Sequence, residues 1–485
     1  MGEALHFASA TELAQRIRDK QVGCLELLDH FLGRADRFNP ALNAIIWMDP
    51  EGARERARAA DAALAKGELW GPLHGVPMTV KESFNLTGSP TTWGIPTYRD
   101  NVASDNATLV SRMLAAGVVI FGKTNVPLHL SDWQSFNAIY GTTNNPWNRE
   151  RTPGGSSGGS AAALAAGMTG LEAGSDIGAS IRNPAHYCGI FGHKPTYGLV
   201  PPRGQALPGS LTPSDISVVG PMARSAEDLD LSLSITAGPD ILEEAGWQVT
   251  LPPPRRERLR DFRVAVMPSD PNSEVQQSYQ ERIVEVAEQL AKLGATVSFE
   301  ARPEIDTDRA FQLYLLLLRA ATSRRQTDEE FDAFRKLADA AEEDDESYLV
   351  QMARGIALPH RDWLTLNNER MAMRLKWQAF FQDWDLLLCP AAASSAWPHD
   401  QAGERHDRTI PVNGKQVPTT DQLFWAGFSG MAYLPSTVSP IGLDEEGLPL
   451  GLQAITGHLQ DRTSIAFARL LAQEIGGFQP PPGYD

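Results

Sequence analysis

At 485 residues the chain is long enough for one large domain or two to four ordinary ones, and 42% hydrophobic with 21% charged residues is the balance of a soluble globular protein. Forty-three basic against 60 acidic side chains give a formal charge of −17, a field that repels phosphate backbones and argues against a nucleic-acid partner. The three cysteines, Cys24, Cys188 and Cys389, are scattered and lack C-x-x-C spacing, which argues against a disulfide framework and a zinc site and for a reducing, cytoplasmic setting.

The first sixty residues read as helices. Ser9-Ala-Thr-Glu12 has capping-box spacing ahead of Leu13 and Ile17. Cys24, Leu27, Leu28, Phe31 and Leu32 repeat at helical spacing, and the Ala-rich stretch from Glu51 to Ala65 ends at Lys66-Gly67. Met1 to Gln21 has no apolar stretch of the kind a signal peptide needs. Gly75 to Val80 is a short β-type run, Thr108 to Ala116 a helix, and Val118-Val-Ile-Phe121 a strand. This α/β alternation predicts a mixed, largely parallel central sheet flanked by helices. Ser160 to Ala166 is a small-residue helix whose uniform surface points to burial.

A Pro- and Arg-rich connector at 252–260 separates two strand signals, so one continuous sheet is as good a reading as a domain boundary there. The strand Phe262 to Met267, a helix bearing Ile283, Val286 and Leu290, and the strand Thr296 to Phe299 form a βαβ unit. Phe311 to Leu318 is the densest apolar run, ended by Arg319. It falls short of the ~20 residues that span a bilayer and reads as a buried helix or pocket wall. The acidic segment Gln326 to Tyr348 reads as a solvated helix and loop. There is no internal repeat.

Chemistry concentrates in three pieces: Lys81 in Val76-Pro-Met-Thr-Val-Lys81, the run Gly154-Gly-Ser156-Ser-Gly-Gly-Ser160, and the run Asp176-Ile-Gly-Ala-Ser180-Ile-Arg182. A serine becomes a nucleophile only when something takes its proton, and a lysine in apolar surroundings can do that because burial disfavours its charged form. Gly154 to Ser160 also fits a plain flexible loop. A phosphate loop is excluded, since no Gly-Lys-Ser/Thr follows. Gly154-x-Ser156-x-Gly158 matches the nucleophile elbow of α/β-hydrolases, but loop-type residues precede it where that motif needs a strand. A fourth reading joins the two serine loops. Gly178 then lets successive N–H groups converge where a tetrahedral oxyanion would sit.

Pro153 to Ser160, Gly174 to Arg182 and Cys188-Gly189 to Lys194-Pro-Thr196 closely resemble the signature block of the amidase signature family of serine hydrolases. Asn39-Pro-Ala-Leu-Asn-Ala44 and Gly447-Leu-Pro-Leu-Gly-Leu-Gln453 extend the resemblance over most of the chain. It is similar to bacterial-type amidases, fatty-acid amide hydrolase and aryl acylamidases. The resemblance implies a single domain over 1–485, with N-terminal helices at 1–65 and a signature core at roughly 70–240. It implies a Ser–cis-Ser–Lys triad with Ser180 as nucleophile, Ser156 as bridging serine after a cis peptide, and Lys81 as base. It also implies an oxyanion hole from the N–H groups of Ile177, Gly178, Ala179 and Ser180, with Ala179 standing where the family usually has glycine. No cofactor and no metal are implied.

The implied activity is hydrolysis of amide C–N bonds through an acyl-enzyme, on amides, anilides or fatty-acyl amides and by extension carbamates and esters. The alternatives are a carbamate hydrolase, a catalytically dead scaffold on the same fold, and a glutamyl-tRNA amidotransferase A-type subunit. The resemblance places substrate contacts at Trp133, Gln134 and Phe136. Phe311, Tyr314, Trp363, Phe424, Trp425 and Phe428 could line an apolar cleft, although core packing is the plainer reading for more than half of them. Asp176 and Arg182 read as ion-paired supports, and His186, His193 and Cys188 as structural. The expected partner is a small amide or carbamate, with no transmembrane segment; a homodimer stays open.

Overall fold

The computed structural model describes residues 5–485. Its fifteen strands are β1 Ile45–Met48, β2 Pro77–Lys81, β3 Val119–Thr124, β4 Phe136–Asn137, β5 Gly141–Thr142, β6 Glu172–Asp176, β7 Phe191–Lys194, β8 Val218–Ala223, β9 Arg263–Val266, β10 Thr296–Ser298, β11 Leu386–Pro390, β12 Thr409–Val412, β13 Lys415–Pro418, β14 Ser436–Leu443 and β15 Pro449–Ile455. Eight of them form the central sheet, in the order β10-β9-β11-β15-β14-β7-β8-β6. β1, β3 and β2 form a smaller sheet beside it, and β4-β5 and β12-β13 are short hairpins.

The mixed α/β class is as expected, but the sheet is not largely parallel. Only β10-β9 and β9-β11 pair in parallel. The other five pairings are antiparallel. Parallel pairing needs a long crossover, and helical crossovers join β9, β10 and β11. The remaining strands are locally similar apolar runs, and their direction is set by partners far away in sequence, which local patterning does not carry. β9 and β6 lie on either side of the 252–260 connector and belong to one sheet.

The N-terminal helices follow their sequence signals. Ser9 caps Ala10–Arg18 by accepting from the Glu12 N–H at 3.1 Å. Asp61, on Pro50–Ala65, accepts from the N–H groups of Cys24 and Leu25 and so clamps the start of Cys24–Leu42. These helices bury Leu13, Leu27, Leu28 and Phe31 against the smaller sheet. Thr307–Thr322 buries Leu313, Tyr314 and Leu317, and Asp328–Ala340 has no buried residue, as its acidic composition implied. Among the described residues no helix is long and apolar enough to cross a membrane.

Gly158–Ala165 is buried on every side and lies between the two sheets. Gly159 is the reason it can. A Cβ there would stand 2.4 Å from the Asn125 backbone nitrogen and 2.8 Å from the Ala44 carbonyl, both backbone atoms that cannot step aside. Gly159→Ala is therefore expected to destabilise the protein by about 1–3 kcal/mol, the usual range for overpacking. A fall in the urea-unfolding midpoint is the check; an unchanged midpoint would mean that this approach is looser than described.

Candidate active site

Lys81 is the last residue of β2, an edge strand of the smaller sheet, and pairs with Thr124 of β3. Its side chain is fully buried. The Nζ lies 2.7 Å from Ser156 Oγ, 2.9 Å from Ser157 Oγ and 3.0 Å from Ser175 Oγ. Among the described residues no carboxylate forms an ion pair with it. Burial pushes its pKa down to about 7, against the opposing pull of Asp176, Glu172 and Glu82. Lys123 and Lys194 are also buried and pushed down by burial, to about 8 and about 7. Lys123 bonds the Pro90 carbonyl and Thr91, and Lys194 the Pro195 carbonyl. What singles out Lys81 is its contact with three hydroxyls.

The loop from Gly154 delivers two of those hydroxyls. The Gly155–Ser156 peptide is cis. Ser135 Oγ accepts from the Gly158 N–H and donates to the Gly154 carbonyl, both at 3.1 Å, holding the loop from behind. Gly155 passes so close to residue 132 that a Cβ would lie 2.3 Å from the Asp132 carbonyl oxygen. The Ser157 N–H donates to the Ser180 carbonyl at 3.1 Å and joins this loop to the next.

The turn from Asp176 to Arg182 is folded around one carboxylate. Asp176 accepts from the N–H groups of Ala179 and Ile181 at 3.0 and 3.1 Å and from Arg182 Nε and Nη2 at 3.0 and 2.9 Å. Burial works against ionising Asp176, but Arg182 and these N–H donors outweigh it and hold the pKa below the usual carboxylate range. On the other side, Tyr314 Oη donates to the Ile177 carbonyl and Trp133 Nε1 to the Gly178 carbonyl, both at 2.9 Å. Each peptide's N–H points opposite its carbonyl. These two bonds therefore orient the Gly178 and Ala179 N–H groups away from Tyr314 and Trp133. Of the four N–H groups expected to form an oxyanion hole, that of Ala179 donates to Asp176 in this structure. Ser180 is 6% exposed and faces a cavity of about 40 Å³ shared with Ile177 and Gly178.

Of the three expected substrate contacts, Trp133 lines this cavity, and Gln134 and Phe136 do not. Both ends of the Gln134 amide are tied to the Asp400 backbone, and Phe136 sits under the Arg408 guanidinium. The aromatic cleft is likewise absent from the wall at Ser180. Phe424, Trp425 and Phe428 pack in the core around β11 and β15, Trp363 stacks on His360, and Tyr314 supports the turn. His186 and His193 are structural, as read. The Gly451 N–H donates to His186 Nδ1, so Nε2 carries the proton given to the Ser394 carbonyl, and burial pulls the ring's pKa down to about 4. His193 bridges Thr437 and Asp461. Burial pushes the Cys188 thiol far above its ordinary value. Among the described residues no cluster of metal-ligating side chains occurs.

Sequence reading overlooked several participants. Ser157 lies inside the first serine run and Ser175 just before the second, but nothing in the spacing says that they share the amine. Gln205 Nε2 donates to Ser175 Oγ at 3.1 Å and to Ser83 Oγ at 3.2 Å from a loop with no local signal. Ala179 has φ +68°, a left-handed conformation that costs an alanine roughly 1–2 kcal/mol and a glycine nothing. Ala179→Gly loses part of that gain to its more flexible unfolded chain, leaving a net stabilisation of up to about 1 kcal/mol, read as a higher urea midpoint at unchanged slope.

The family model described as Amidase matches residues 26–465. Fatty-acid amide hydrolase 2 of Homo sapiens is 30% identical, over 99% of this chain and 91% of that protein. A glutamyl-tRNA(Gln) amidotransferase subunit of Methylobacillus flagellatus is 31% identical, over 96% of each chain. The solved structure of a bacterial aryl acylamidase of the amidase signature enzymes superposes with a TM-score of 0.81 at 25% identity, covering 97% of this chain and 96% of that one. The match spans the elements that carry the buried lysine, both serine loops and the sheet that holds them together, and on that ground the chain belongs to the amidase signature family of C–N hydrolases.

Proposed function

We propose that this chain hydrolyses amides through an acyl-enzyme on Ser180, with Ser156 relaying the proton and Lys81 as base. The observation that carries the reading is the 2.7 Å contact between a buried, carboxylate-free amine and Ser156 Oγ. A charged ammonium would donate to all three hydroxyls. The neutral amine has two N–H donors, which suit Ser157 and Ser175, and a lone pair for the Ser156 proton. Burial brings that neutral form within reach at neutral pH.

Lys81 takes the Ser156 proton as Ser156 takes that of Ser180. Ser180 Oγ bonds to the substrate carbonyl carbon. The N–H groups of Ile177, Gly178 and Ser180 hold the oxyanion. The C–N bond then breaks, and the leaving amine takes the proton back through Ser156. Water attacks the acyl-enzyme by the same relay, the ester C–O bond breaks, and Ser180 recovers its proton. Amides and anilides are the substrates this reading favours, and carbamates and esters present the same carbonyl to the same attack. Amidotransferase components and stand-alone hydrolases stand at near-equal identity to this chain, so assays belong on the purified lone chain.

Lys81→Ala is expected to lower kcat/KM by about 10²–10⁴-fold; a loss under tenfold on an anilide would rule out the relay. Ser180→Ala should abolish labelling by a fluorophosphonate, and labelling that persists would move the nucleophile elsewhere. Because the neutral amine is the working form, kcat/KM should rise with pH through a midpoint near 7 and level off above it. A profile that is flat from pH 5 to 9 would remove Lys81 from the proton path.

A further inference from the structure

The cavity beside Ser180 is walled by three arginines, Arg319, Arg325 and Arg405. Each is held by neutral partners. Arg319 and Arg405 both donate to the Tyr348 hydroxyl, and the Arg405 guanidinium lies 5.2 Å from the centre of the Trp133 ring. Arg325 donates to the His129 carbonyl at 2.9 Å and to Ser131 Oγ at 3.2 Å. None of the three makes an ion pair with a carboxylate among the described residues. Arg319 Nε is buried with no hydrogen-bond partner there. The wall does carry one carboxylate, Asp132, but its partner is Arg408 at 2.6 Å. Burial alone would raise the Tyr348 pKa, yet Arg319 and Arg405 pull it below its ordinary value, the mark of a positive local field.

Three half-buried guanidinium groups gathered around one cavity, with hydrogen-bond partners that are all neutral and only Asp132 beside Arg405 as counter-charge, repel one another, and their planar donor forks match a carboxylate. The chain as a whole carries −17, so this wall is a local inversion of its charge. We infer that the enzyme's substrates are short amides that carry a carboxylate, which the arginine wall grips while Ser180 attacks the amide carbonyl. The cavity beside the nucleophile is small, about 40 Å³. A wider cavity of about 390 Å³, which shares Thr322 and Arg325 with the small one, is available for the rest of the molecule. This inference rests on the Ser180 reading for its chemistry, but its charge preference can be measured separately.

Two matched pairs of anilides test it: succinanilic acid against butyranilide, with the charge on the acyl side, and 4-acetamidobenzoate against acetanilide, with the charge on the amine side. Aniline or aminobenzoate release should give at least a tenfold higher kcat/KM for the carboxylated member of one pair. Arg319→Gln and Arg405→Gln should each cut that ratio at least tenfold. Binding is measured independently by calorimetry on the Ser180→Ala protein, where succinamate should bind at least tenfold more tightly than butyramide. Neutral members turned over as well as the charged ones in both pairs would overturn the arginine-wall inference, as would succinamate binding no better than butyramide where succinanilic acid is the preferred anilide. Turnover that survives Ser180→Ala would instead count against the catalytic reading and leave the calorimetric result standing.

Discussion

The buried pair between Asp176 and Arg182 is the interaction on which the rest of the site depends. Both side chains are almost completely shielded from water. Such a pair contributes little net stability, because desolvating two charges offsets most of their attraction. Its effect here is geometric. Asp176 gathers two backbone N–H groups of the turn, and Arg182 extends the grip to Ser429 Oγ, the Ala426 carbonyl and Gln453 Oε1. Gln453 lies in β15, between β11 and β14, and its amide donates to the Pro390 carbonyl. The serine turn is thereby tied to the middle of the sheet.

A buried lysine does not by itself make a catalytic site. Three of them occur in this protein, all with depressed pKa values, and two are surrounded by carbonyls or little else. The same loss of water lowers the pKa of all three. Partners decide which is which. Ser156 and Ser157 reach Lys81 from one loop and Ser175 from the end of β6, so its amine meets three hydroxyls.

Part of the site was legible in the sequence, because Lys81 in its apolar run and Ser156 and Ser180 in their glycine-containing runs lie within a hundred residues and resemble a family signature. The ion-paired role of Asp176 and Arg182 was legible for the same reason. The sheet's strand directions were not, since β7 pairs with β14, more than two hundred residues away. Nor was the fate of Gln134, whose partner is Asp400, or the commitment of the Ala179 N–H to Asp176. The arginine wall shows the limit most plainly. Arg319 looked like the end of an apolar helix, and nothing in the sequence drew attention to Arg325 or Arg405. They gain a common meaning only where the fold brings them to Ser180.

The tie between Arg182 and Gln453 also has a bearing on how the protein comes into being. Gln453 follows Arg182 by 271 residues. At ordinary elongation rates a ribosome takes roughly 15–55 s to cross that interval. Through all of it the nascent chain carries its reactive serine turn without the strand that anchors it. β15 then enters between two strands already made and completes the sheet and the turn together. A chain cut short before that point lacks the strand that ties the serine turn to the middle of the sheet.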